Sequence, residues 1–202
     1  MLRLSTFLKD LGSIRKTLLF VTVLFMLGIV AGWYSTGVLE QIINNQMEGI
    51  RDISKSLSDS SSPMWSFFVF IFFNNSIKAV VMIFLGLFVG ILPILFLLVN
   101  GMVLGYLVHS SLEQGNSLFD LVVKGLLPHG IIEIPAIIIA CAFGLQMGLM
   151  VIASLGGSGK EGLKGRWREL FRKALTASVW IVILLFVAAI IESTVTYSLM
   201  KG

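Results

Sequence analysis

Two ionisable side chains, His129 and Glu133, stand four residues apart at the head of an oily run in GLLPHGIIEIPAIIIACAFG, residues 125–144. Residues four apart share one face of a helix, so the imidazole and the carboxylate would look the same way. Pro128 and Pro135 bracket the pair. Pro128 suits the first turn of a helix, and Pro135 denies the Ile131 carbonyl its usual donor. A freed carbonyl, an imidazole and a carboxylate could hold a cation or solute as the broken helices of transporters do. The same groups could equally lock the register of a bundle.

Three further polar positions lie in apolar surroundings upstream: Asn74, Asn75 and Lys78 in FFNNSIKAVV, with Asn100 in LVNGMVLG as a fourth. An ionisable group in hydrocarbon is costly, so it should face the protein interior and have a partner. Lys78 and Glu133 are the opposite charges at comparable depth and are expected to pair. Asn74, Asn75 and His129 would complete their hydrogen bonds.

Other chemistries find little support. His129-x-x-x-Glu133 is not the His-Glu-x-x-His zinc pattern, and His109 falls near the other end of an apolar run, so no metal site is expected. Ser110, Ser111 and Ser158 have no nucleophile-elbow context. SLGGSGKEG lacks the P-loop spacing, because Lys160 is followed by Glu161. The single cysteine, Cys141, sits in an apolar run and reads as a small hydrophobe, with no intrachain disulfide possible. Neither catalysis nor a cofactor is expected.

The elements that must position these residues are membrane helices. The chain of 202 residues is 56% hydrophobic and 13% charged, with a mean hydropathy of +0.95. Soluble domains are about 25% charged. Charge-free runs such as 79–112 and 174–191 approach or exceed the ~20 residues that cross a bilayer as a helix. The strict alternation of a barrel strand is missing. The fold expected is all-α: one integral membrane domain, 1–202, forming a polytopic helix bundle.

Basic residues set its sidedness. Arg3, Lys9, Arg15 and Lys16 precede the first apolar run, and six more lie between 160 and 173. Basic segments stay in the cytoplasm, so both belong inside. Segments 40–59 and 113–120 carry six acidic and two basic residues, which suits the outside. Three crossings must then separate Trp33 from Lys160. Two of them come from 65–111, with Pro93 at the inner turn, because a proline disfavours helix just before it. This gives about five spans, 17–35, 66–91, 94–111, 130–153 and 175–197, with the N-terminus cytoplasmic and the C-terminus outside. A re-entrant hairpin within 65–111 is the structural alternative. Pro93, Pro128 and Pro135 are the expected helix breaks.

Outside the spans, residues 38–59 place apolar side chains at one helical stripe, within an extracytoplasmic segment 36–64 closed by Pro63. Residues 160–174, KEGLKGRWRELFRKA, place Leu163, Trp167, Leu170, Phe171 and Ala174 on one face among basic neighbours. They form an amphipathic helix at the inner interface, within a basic connector 155–173 drawn to anionic lipid rather than to nucleic acid. Four glycine pairs sit four apart inside the proposed spans: Gly28/Gly32, Gly86/Gly90, Gly101/Gly105 and Gly144/Gly148. Such spacing lets helix backbones approach closely, within one chain or across a homo-oligomer.

FFNNSIKAVVMIFLGLFVG, NGMVLGYLV and LPHGIIEIPAIIIACAFGLQMG together resemble the signature of the stage II sporulation protein M family of multi-pass membrane proteins, over roughly residues 65–155. The resemblance makes Asn74, Asn75, Asn100, Gly101, Gly105, His129, Gly130, Glu133, Pro135 and Gly144 the motif positions. It implies a membrane scaffold or anchor without catalysis, whose founding members act in engulfment beside peptidoglycan-degrading partners. The partners expected are the lipid bilayer and either a second copy or other membrane or extracytoplasmic proteins. The competing reading is a channel or transporter using Lys78, His129 and Glu133, and a third is an intramembrane enzyme.

Overall fold

A computed structural model describes residues 3–35, 38–115, 117, 127–156 and 162–201. It shows seven helices and no strand among the described residues. They are α1 (Leu4–Ser13), α2 (Arg15–Trp33), α3 (Val38–Ser58), α4 (Pro63–Leu85), α5 (Ile91–Glu113), α6 (Leu127–Leu155) and α7 (Leu163–Lys201). Five of them, α2 and α4 to α7, are long and apolar enough to cross a membrane. With 23 residues each, α4 and α5 are about 35 Å long. That exceeds the ~30 Å core, so 65–111 holds two full-length helices rather than a re-entrant hairpin.

Their connection differs from expectation. The chain reverses at Gly86–Gly90, not at Pro93. Val89 and Gly90 take φ of 60° and 76°, a left-handed pair that reverses direction within a few residues; Gly90 adopts it at little cost, whereas for the β-branched Val89 it is a strained conformation. Pro93 lies buried in the first turn of α5, where its missing N–H would have had no helical partner anyway. Pro128 likewise lies in the first turn of α6. Pro135 does not break that helix, which runs on to Leu155.

The inner amphipathic segment is not a separate helix either. From Leu163 the chain runs as one helix of 39 residues, because neither glycine nor proline interrupts it after Gly165. At ~58 Å this helix is about twice the membrane thickness, so its basic first turns project beyond the apolar zone. A short helix unforeseen in the sequence reading, α1, lies along them. Phe7 stacks on Trp180 at 6.0 Å, Arg172 reaches Asp10 at 3.4 Å, and Lys173 donates to Ser13 Oγ at 3.1 Å. The signal was present in the apolar spacing of Leu4, Phe7, Leu8 and Leu11.

The spans are assembled by their glycines. A Cβ on Gly28 would stand 2.7 Å from the Leu98 carbonyl oxygen, and one on Gly101 2.6 Å from that of Phe25. Gly32 meets Met102 backbone, and Gly105 meets Ile29 backbone. The pairs of α2 and α5 therefore interlock along one parallel seam. Gly86 lies against the backbone of Gly144, and Gly148 against that of Gly90, which pins α4 to α6. All four pairs are used inside a single chain. α6 is the central helix: it touches α2, α4, α5 and α7, and half of its spanning residues are buried. Ala136, Ala140, Cys141 and Ala142 keep its surface narrow enough for four neighbours. Ile83, Leu97, Phe143, Met147, Ile181 and Leu185 fill the core between them.

Sidedness is directly measurable. In a Cys141→Ala background, Asn45→Cys is expected to react with an impermeant thiol reagent in right-side-out vesicles. Lys164→Cys is expected to react only after permeabilisation. Both positions are exposed, so a reversed pattern would invert the bundle.

Candidate functional site

The seam between α4 and α6 decides what sits above it. Both helices run the same way in the expected topology, and Gly86 is level with Gly144. About three turns back along each helix, the same register brings Asn75 level with Glu133. A cavity of about 390 Å³ opens there, lined by Asn74, Asn75 and Lys78 of α4, Glu133 of α6 and Glu192 of α7. Ser54, Ile53 and Leu57 of α3 close one side, and Phe67, Phe70 and Ile71 supply the apolar wall.

Four of the expected site residues thus come together, although not as expected. Lys78 and Glu133 line one cavity, yet among the described residues no hydrogen bond or ion pair engages Lys78. Helical placement explains this: Lys78 lies nearly a turn beyond Asn75 and is exposed on the cavity side. Asn74 donates instead to its neighbour Asn75 at 3.2 Å. The side chain of His129 lies outside the described residues.

Asn100 is placed elsewhere. Its amide donates to the Phe96 carbonyl at 2.7 Å, and it lines a second cavity of about 200 Å³ between α2, α5 and α6. Glu133 forms part of that cavity's wall too, so this one carboxylate separates the two spaces. His109 is remote from both. It packs edge-on against Trp33 at 5.1 Å and lies 3.7 Å from Glu113.

Glu192 is the residue sequence reading missed. It falls within the expected span 175–197 after a charge-free run, and the rule that marked Lys78 and Glu133 applies to it equally. The broken-helix idea fares worse. Pro135 and Ile131 are both exposed on α6, whereas Glu133, two residues away, faces the cavity on a different side. The freed carbonyl and the carboxylate therefore do not converge.

Below the cavity the bundle is closed. Gly86 and Gly144 meet backbone to backbone, and Ile83, Phe143, Met147 and Ile181 are fully buried. A larger groove of about 690 Å³ lies between the start of α4 and the end of α7. It is walled by Trp65, Phe68 and Phe186, with serine and threonine hydroxyls and the Trp65 indole as its polar side-chain groups, and so offers no ionisable chemistry.

The sequence profile described as Stage II sporulation protein M matches residues 21–197. The chain belongs to the stage II sporulation protein M family. The match begins inside α2, so α1 precedes it, and it takes in every helix that lines the cavity. An uncharacterized protein of Methanocaldococcus jannaschii is 25% identical over 194 residues, covering 93% of this chain and 84% of its own length. No solved structure matches the chain. Within the matched region, Gly101, Gly105 and Gly144 hold helix seams, while Asn74, Asn75 and Glu133 face the outer cavity.

Proposed function

We propose that this member of the stage II sporulation protein M family is a non-catalytic scaffold of the cell membrane. In this reading α3, on the face expected outside, presents partner proteins, and the polar cavity seats that helix on the bundle. The observation that carries the reading is the asymmetry of the core. The end nearer α3 holds the larger polar cavity, and beneath it a layer of glycine-to-glycine backbone contact and full apolar burial stands between it and a pocket of about 190 Å³ at the basic end. A cavity closed at one end suits holding better than passage.

The polar groups support the same role. α3 contributes Ser54 to a wall otherwise built by the bundle, and Leu57 packs against Phe67 and Ile71. Its outward positions Asn45, Glu48, Asp52 and Lys55 are exposed, which leaves the polar stripe of the helix for contacts beyond the chain.

Glu133→Gln separates scaffold from pathway. Removing this carboxylate leaves an ammonium in a low-dielectric cavity with less compensation. Because Lys78 is exposed toward the cavity, solvent screening limits the expected fall in Tm to about 2–5 °C. Proteoliposomes should be equally tight to protons and small ions with either form. A flux through the wild-type protein that Glu133→Gln abolishes at unchanged Tm would sink the scaffold reading and favour the pathway.

A further inference from the structure

The outer cavity is lined by charges of both signs carried on different helices. α4 presents the Lys78 ammonium, with Asn74 one turn before it on the same face and Asn75 beside it. Glu133 and Glu192 are contributed by α6 and α7. Lys78 lies well inside a helix that spans from Pro63 to Leu85. Among the described residues it has no hydrogen bond or ion pair. An ammonium at that depth is costly unless an anion accompanies it. The cavity volume, about 390 Å³, falls in the range of small-molecule sites, and the wall of Phe67, Phe70 and Ile71 is apolar.

We propose that this cavity binds a small zwitterion, with its ammonium between Glu133 and Glu192 and its oxyanion at Lys78 and the amides of Asn74 and Asn75.

Opposed charges select for a ligand carrying both signs. A simple anion would meet Lys78 and be repelled by two carboxylates, and a simple cation would leave Lys78 uncompensated. The ammonium must also donate hydrogen bonds, because carboxylates accept from N–H and gain far less from a methylated nitrogen. Two sources carry this chemistry: an ethanolamine phospholipid headgroup entering from the surrounding leaflet, and a free zwitterion entering from water. The bound zwitterion would share the cavity with α3, whose Ile53, Ser54 and Leu57 line it, but the inference does not depend on which partners the outward face of α3 meets.

The test uses the full chain in nanodiscs of phosphatidylglycerol. To these are added, separately, phosphatidylethanolamine, phosphatidylcholine, soluble glycerophosphoethanolamine and glycine. Saturation of the site is expected to raise Tm by about 5 °C. A rise with phosphatidylethanolamine alone assigns the lipid source, and a rise with the soluble compounds assigns a free zwitterion. Native mass spectrometry of the wild-type protein gives a second readout, with retention of the ethanolamine form over the choline form. Lys78→Met and Glu192→Gln should each remove the shift, and Lys78→Arg should restore it. No preference for any ammonium zwitterion in the wild-type protein would overturn the proposal. So would a shift that survives undiminished in both Lys78→Met and Glu192→Gln.

Discussion

Gly144→Ala and Gly86→Ala are expected to abolish the folded bundle, although each adds only a methyl group. At Gly144, inside α6, helix propensity alone would make the change stabilising by about 1 kcal/mol. The seam between α4 and α6 reverses that sign. A Cβ on Gly144 would stand 2.6 Å from the Met82 carbonyl oxygen and 2.7 Å from a ring carbon of Pro93. On Gly86 it would fall onto the backbone of Gly144. Backbone cannot swing aside as a long side chain can, so the helices must separate along their whole contact. In a bilayer no hydrophobic force draws them back, because association rests on close van der Waals contact.

A loss of about 4 kcal/mol or more is the expected scale for such a change. It should be visible as loss of the monodisperse peak in detergent and of a cooperative thermal transition. Gly12→Ala and Gly165→Ala serve as controls, since a methyl on either meets nothing within 4 Å. If the seam variants behave like these controls, the backbone contacts between α4 and α6 are not what holds the bundle. The position of Glu133 over Asn75 would then lose its explanation as well.

Arg172→Met should undock α1 at a cost of about 2 kcal/mol. Asp10 is buried, with its side chain 8% exposed, and Arg172 at 3.4 Å is its ion-pair partner. Among the described residues its other oxygen has no hydrogen-bond partner. Removing one member of a buried pair costs about 3–5 kcal/mol because a charge is left without compensation. Arg172 is about a third exposed, so screening reduces the effect here. The double change Asp10→Asn with Arg172→Met should recover most of the loss, since no buried charge then remains. A double-mutant cycle in Tm checks this. Undocking has its own readout in the Cys141→Ala background, where Phe7→Cys should become reactive once Arg172 is replaced. Additive single effects would mean that Phe7 and Trp180, not the ion pair, dock α1.

The polar cavity was half legible. Asn74, Asn75, Lys78 and Glu133 announce themselves as polar groups where hydrocarbon is expected. Glu192 follows the same rule but lies in the outer part of its expected span, where an interfacial position accounts for it equally well. Asn100 looked identical to Asn74 in sequence and proved to line a different space. Which of two spaces a residue faces depends on which helices flank it, and periodicity carries no record of neighbours. The proline readings failed for a related reason. Proline constrains only its own turn, and the reversal between α4 and α5 was taken by Val89 and Gly90, whose conformation depends on the packing of Gly90 against Gly148.

The sequence by itself determined that this is a helical membrane protein with five spans, an amphipathic helix between the first two, and glycine pairs ready for close contact. Those features are local: hydropathy, the helical period and side-chain size act within a few turns of one segment. Only the tertiary structure decided that α2 meets α5, that α4 meets α6, and that the chain's own helices, not a second copy, occupy all four glycine seams. It also decided that α1 lies on the basic end of α7 and that Glu192 lines one cavity with Glu133 and Lys78. These are pairings between segments far apart in the chain. Several apolar helices of similar length could satisfy the membrane in any order, and the fit of backbone against backbone selects among them.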